Sequence, residues 1–135
     1  MPDFSFRKEE RLSSKKTISS LFRSGRYVVS YPVKILYQST DMGQYPVSVA
    51  IVVPKKLFRK AVDRNLIKRR IREAYRLNKA EFYPKLAEAS IGLNMVIQYQ
   101  HREIVDYYTV KNGLYRGLNK MIKQIQEQSG SSVNE

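Results

Sequence analysis

Ten of the 22 residues from Lys55 to Arg76 are Lys or Arg, opposed only by Asp63 and Glu73. Together they carry +8 of a whole-chain formal charge of +13. A guanidinium holds phosphate oxygens through paired N–H donors, and an ammonium adds a compact point charge. A string dense in both suits a polyanion, because every neutralised phosphate also releases condensed counterions. The spacing sharpens this reading. At about 100° per residue, Asn65, Lys68, Arg69, Arg72 and Arg76 fall within a helical sector of about 100°. Ile67, Ile71 and Ala74 form an apolar stripe on another side, with Tyr75 on its flank. Leu66 fits neither face, and Arg70 lies near the far edge of the stripe.

The plain alternative is the solvated face of an amphipathic helix. Such faces mix signs to gain i,i+4 pairs. Here the cations at 68, 69, 72 and 76 repel one another, and only Glu73 lies near enough to relieve them. An anionic partner would offset that repulsion, so the pattern favours nucleic acid.

Catalytic chemistry is harder to find. The twelve acids are scattered, with no DxD or ExxE pair of the kind that holds Mg²⁺ in a metal-dependent nuclease. No spacing supports a Ser-His-Asp arrangement, and there is no glycine-rich phosphate loop. The single histidine, His101, could act as a general base, but a surface position at a strand end accounts for it as well. The chain has no cysteine, which excludes disulfides and thiolate sites and fits a reducing cytoplasm. A pI near 10.0 points to nucleic acid or an anionic surface. No apolar run is long enough to span a bilayer, and MPDFSFRKEERL has no apolar segment of the kind a secretory signal needs.

The 135 residues suit a single domain. Residues 1–10 read as a flexible basic lead-in, 11–126 as one α+β RNA-binding domain, and 127–135 as a disordered tail. Ser13 or Ser14 caps a first helix carrying Ile18, Leu21 and Phe22 at i, i+3 and i+4, closed by Gly25. From Tyr27 the period becomes two: Tyr31, Val33, Ile35 and Tyr37 alternate with Lys34, Leu36 and Gln38. Asp41 to Gln44 make a turn. The run from Val47 to Val53 is apolar on both faces except for Ser48, which predicts a central strand. The loop from Lys55 to Lys60 leads into the basic helix, which runs from about Val62 to Asn78 or beyond, with Pro84 expected to stop it after Tyr83. Leu93, Met95, Ile97 and Tyr99 mark one face of a further strand. A last helix starts near Ile104 or Asp106 and carries Tyr108, Leu114, Tyr115, Leu118, Met121, Ile122 and Ile125.

At Arg64, Asn65, Lys68, Arg69, Arg72, Glu73 and Arg76 the sequence resembles, without a gap, the signature RNxxKRxxRExxR of the bacterial ribonuclease P protein component. KK followed by AV upstream, and LFRSGR at 21–26, resemble the same family. The resemblance spans roughly residues 10 to 125. It implies an αβββαβα domain, a sheet of about four strands with three helices and a left-handed βαβ crossover. It also implies a role as the protein subunit of a ribonucleoprotein endoribonuclease that removes the 5′ leader of precursor tRNA. Catalysis then belongs to the RNA subunit with Mg²⁺ bound mainly by RNA, so no catalytic or metal-ligating residue is expected in the protein. The implied partners are the catalytic RNA and precursor tRNA, with no membrane and no DNA. Arg64, Asn65, Lys68, Arg69, Arg72 and Arg76, with Lys55, Lys56 and Lys60 of the loop, would meet the catalytic RNA; Asn65 could instead bond loop backbone. Ile18, Phe22, Lys34 and Leu36 would form the leader cleft, with core packing the plainer role for Ile18 and Phe22. The rival function is a ribosomal or translation-associated RNA-binding protein with no role in cleavage.

Overall fold

The computed structural model describes residues 10–40 and 46–133, with side chains described up to Glu127. The element order is α1 (Lys15–Ser24), β1 (Arg26–Ser30), β2 (Val33–Thr40), β3 (Val47–Val52), α2 (Ala61–Glu88), β4 (Gly92–Tyr99) and α3 (Tyr107–Val133). This is the expected α+β order. The expected turn at Asp41 to Gln44 lies outside the described residues.

The strands form one mixed sheet in the order β1-β2-β4-β3. β1, β2 and β4 pair antiparallel in sequence, and β3 runs parallel to β4. A parallel pair needs a crossover, and α2 supplies it; this is the βαβ unit whose left-handed sense the resemblance implies. Period-two alternation divides the side chains between the two faces. Val33, Ile35, Tyr37, Val47, Val49, Leu93, Met95, Ile97 and Tyr99 face the main core, where α2 adds Ile67, Ile71, Ala74, Tyr75, Phe82 and Leu86 and α3 adds Val110, Leu114, Leu118, Met121, Ile122 and Ile125. A second, smaller cluster on the other face joins Leu21 of α1 to Leu36 and Val96, with Leu12, Ile18, Ala50 and Val52 packed around it.

Several expectations are corrected. β3 is an edge strand, not a central one. It is apolar on both faces because the main core covers one and the α1 cluster covers the other. Its outer edge is blunted by Arg11, which bridges to Val49, and by the Leu12 amide, which donates to the Val49 carbonyl at 2.8 Å. Glu10 belongs to this docked segment and is fully buried, so the lead-in, whose first nine residues lie outside the described part, does not extend to residue 10.

Pro84 lies inside α2 and does not stop it. Its missing N–H removes one helical bond, and burial of Phe82 and Leu86 on either side holds the helix on the core. α2 ends six residues beyond Phe82, in a Schellman arrangement: Ser90 has φ 55, its amide donates to Ala87, and the Ile91 amide donates to Leu86. Tyr108 and Tyr115 of α3 are exposed, not core. The helix itself continues to Val133, so its backbone occupies most of the tail expected to be disordered.

Gly113 and Gly117, both unfavourable to a helix interior, let α3 approach the β1–β2 turn. A Cβ on Gly113 would lie 2.1 Å from the Tyr31 carbonyl oxygen. Ser30 Oγ donates to the Gly113 carbonyl at 2.8 Å across this contact.

Candidate nucleic-acid interface

The basic face of α2 is built as its spacing predicted. Ile67, Ile71, Ala74 and Tyr75 are buried, which turns Asn65, Arg69 and Arg72 to solvent and leaves Lys68 half-buried. Among the described residues, none of these four polar side chains has a hydrogen-bond or ion-pair partner in the protein. Asn65 bonds no loop backbone, which leaves its amide free for a ligand. Its neighbours along an open groove are Val62, Leu66, Lys68, Arg69 and Arg72.

Two residues of the signature are held differently. Arg64 turns back on the loop, donating from Nη1 to the carbonyls of Phe58 and Arg59, each at 2.8 Å. The loop is anchored from within by Phe58, which is buried against Tyr99 with ring centroids 5.8 Å apart. Lys55, Lys56, Arg59 and Lys60 consequently stand exposed at the start of α2. Arg76 pairs with Glu73, Nη2 to Oε1 at 2.5 Å and Nε to Oε2 at 3.1 Å. The hydrogen bond from Arg76 holds the Glu73 carboxyl below the usual carboxylate range. Within the basic face, Lys68, Arg69 and Arg72 are thus the cations left without a counter-charge among the described residues.

Arg70, at the edge of the apolar stripe, donates to the Val105 carbonyl at 2.6 Å and ties α2 to the segment before α3. Tyr99 organises the same segment, its hydroxyl donating to the Glu103 carbonyl and accepting from the Val105 amide. His101 sits past the end of β4, edge-on to Tyr31 with ring centroids 5.0 Å apart.

The other predicted surface lies between α1 and the sheet. Ser14 caps α1, its Oγ accepting from the Thr17 amide at 3.2 Å, and Leu21 plugs the helix onto Leu36 and Val96. Leu36 is only 3% exposed, so it supports the cleft from below and cannot touch a strand lying in it. Ile18 is partly buried against the same cluster. Phe22 is 45% exposed, so its ring is available to a ligand.

On the sheet, Lys34 pairs with Val29 across β1 and places its ammonium 4.4 Å from the centroid of the Tyr27 ring. Tyr27 pairs with Leu36 and therefore shares the face that α1 packs on. It is exposed, and the sequence reading missed it. Its alternation with Val28 was visible, but its place opposite Leu36 follows from the β1–β2 register.

The two surfaces meet. Lys68 and Arg72 of α2 line one open groove with Ile18 of α1, Arg11, Leu12 and Val49 to Val52 of β3. A cation ridge thus borders an apolar groove between α1 and β3. Among the described residues, no three His, Cys, Asp or Glu side chains come together where a metal ion could be held, and no helix is long and apolar enough to cross a membrane.

A basic helix beside an aromatic-edged cleft on a four-stranded sheet defines a small α+β RNA-binding protein. The family model for ribonuclease P matches residues 6–125. The ribonuclease P protein component of Porphyromonas gingivalis is 36% identical over 118 residues, covering 87% of this chain and 86% of that protein. That of Petrotoga mobilis is 33% identical over 122 residues, covering 86% and 94%. A solved structure of the Thermotoga maritima ribonuclease P protein superposes with a TM-score of 0.66 at 28% identity, covering 82% of this chain and 96% of that one. The Staphylococcus aureus protein shares the fold at 19% identity, with a TM-score of 0.66 and coverage of 83% and 94%. The chain belongs to the ribonuclease P protein family.

Proposed function

We propose that this chain serves tRNA 5′-end processing by binding two RNAs at once, the catalytic RNA on α2 and the precursor's leader in the α1–sheet cleft. The observation that carries this reading is the ridge of Lys68, Arg69 and Arg72. These are three cations on one helix face without a counter-charge among the described residues, and two of them border the groove that also contains Ile18. Phosphates of a folded RNA neutralise such a ridge, with Lys55, Lys56 and Lys60 extending it at the helix start and Asn65 adding a neutral donor. Arg64 contributes by holding the loop that carries those lysines, and Arg76 reaches phosphate as part of its pair with Glu73. In the cleft, Phe22 and Tyr27 offer faces for stacking, and Lys34 a charge for the backbone. Base–aromatic stacking is tolerant of sequence, as a processing factor for many precursors requires. Cleavage chemistry rests with the RNA and the Mg²⁺ it binds; the protein positions substrate.

Protein purified from its native cell should carry one dominant structured RNA that is neither tRNA nor ribosomal. The protein alone should leave precursor tRNA intact, and adding that RNA with Mg²⁺ should restore leader removal. Ribosomal RNA as the main bound species would instead favour a translation-associated role. Cleavage by RNA-free protein would place the chemistry in the chain.

A further inference from the structure

A second line of cations runs along α3, on the far side of the sheet edge from the cleft. Between Tyr107 and Gln126 the helix carries Lys111, Arg116, Lys120 and Lys123 and no acid. At about 100° per residue, Arg116, Lys120 and Lys123 fall within an arc of about 60°, with Lys111 well outside it. All three are exposed, and Glu127 closes the line at its C-terminal end. The line faces the β1 edge. Lys120 reaches over that edge, its Nζ donating to the Val29 carbonyl at 3.1 Å. Val29 is 51% exposed and is the direct cross-strand partner of Lys34, the cation of the cleft. Arg26, three residues earlier on the same edge strand, lies beside Tyr37, whose hydroxyl donates to Gln124 of α3 at 2.5 Å. Cations therefore continue from the cleft at Lys34, across Val29, to Lys120 and its helical neighbours.

We infer that this α3 line, with Lys120 at its centre, is a second backbone-binding track for single-stranded RNA. It would take the part of a long 5′ leader that extends beyond the cleft. The inference rests on the cleft reading, because the track begins where the cleft ends. Charge complementarity selects the occupant: like-charged side chains with no acid between them match a phosphate backbone, and no aromatic residue stands among Arg116, Lys120 and Lys123 to read bases. The track should bind leader by length and not by sequence.

The test uses the reconstituted ribonucleoprotein with two precursors, one whose leader is cut to the few nucleotides the cleft can hold and one with a long leader. The double variant R116Q/K120Q should bind the long-leader precursor several-fold more weakly, while affinity for the short-leader precursor and for the catalytic RNA stays unchanged. Its salt dependence on the long leader should flatten by about 0.7 in log-log slope per lost phosphate contact. K120R, which keeps the charge, should retain long-leader affinity. A melting curve matching the wild type confirms that the fold is intact. Equal affinity of variant and wild type for the long leader overturns the track, as does weakened binding to the catalytic RNA, which would assign the line to that partner. F22A separates the two readings. If it leaves both precursors unaffected, the cleft reading fails; if it weakens both while R116Q/K120Q weakens neither, only the track fails.

Discussion

Lys79 Nζ lies 2.9 Å from Glu10 Oε1, and both side chains are almost wholly buried although 69 residues separate them. Tyr83 donates its hydroxyl to Glu10 Oε2 at 2.5 Å, and the Tyr75 hydroxyl lies 2.9 Å from that of Tyr83. Burial pushes both tyrosine hydroxyls well above their ordinary pKa, so they remain neutral donors. The network pins residues 10–12 to α2 and so places Arg11 and Leu12 in the wall of the groove that Lys68 and Arg72 border.

Removing one member of this pair leaves the other charge buried and uncompensated. Glu10→Ala should cost about 3–5 kcal/mol of stability, as for buried ion pairs broken from one side. Tyr83→Phe, which removes only a hydroxyl, should cost about 1–3 kcal/mol. Chemical denaturation of both variants checks the ranking. A Glu10→Ala loss below that of Tyr83→Phe would show that the pair does not hold the segment.

Gly113→Ala should be destabilising by about 1–3 kcal/mol, even though Ala is the better helix former. The new Cβ would meet the Tyr31 carbonyl, a backbone atom that cannot step aside. Gly117→Ala should be milder, since its nearest obstacle at 2.8 Å is the Ile35 Cδ1 methyl, the end of a side chain. Denaturation midpoints of the two variants decide this, and equal losses would contradict it.

Arg69→Ala and Arg72→Ala should leave stability within about 0.5 kcal/mol, because both side chains are exposed and without partners among the described residues. Affinity for the catalytic RNA should fall, with the log-log salt slope shallower by about one unit per lost phosphate contact. Ile71→Ala is the contrast, losing about 2–5 kcal/mol of fold stability first. Wild-type affinity and slope in both arginine variants would remove α2 as the RNA-binding element.

Phe22→Ala and Leu36→Ala should separate contact from support. Phe22 is exposed, so its loss should spare the fold and reduce discrimination of precursor over mature tRNA by about 1–3 kcal/mol, the worth of one stacked base. Leu36 lies under Leu21 and Val96, so its truncation should cost about 2–5 kcal/mol of stability. Paired affinities for precursor and mature tRNA, read beside melting curves, test both; an equal fall for the two RNAs in Phe22→Ala would remove Phe22 from the leader path.

What the sequence alone determined is whatever depends on neighbours within a turn or two. The 3.6-residue spacing of Ile67, Ile71 and Ala74 set which side of α2 is buried, and hence that Arg69 and Arg72 face solvent. The alternation of Val33, Ile35 and Tyr37 against Lys34, Leu36 and Gln38 divided β2 correctly between the sheet's faces. The Arg76–Glu73 pair was legible for the same reason, being three residues apart on one helix. Alternation states which face a residue takes but not what covers that face. Leu36 and Lys34 share a face and read alike, yet Leu21 seats on one and leaves the other open. β3 carries the apolar pattern of a central strand and lies at the edge, because two packed clusters and the Arg11–Leu12 segment cover it. Pro84 reads as a helix stop, and only burial on both sides of it carries α2 onward. The Glu10–Lys79 pair, the approach of Gly113 to the β1–β2 turn and the meeting of Lys120 with Val29 join residues 69 or more positions apart. Contacts of that kind arise when the chain closes on itself, and no local pattern records them.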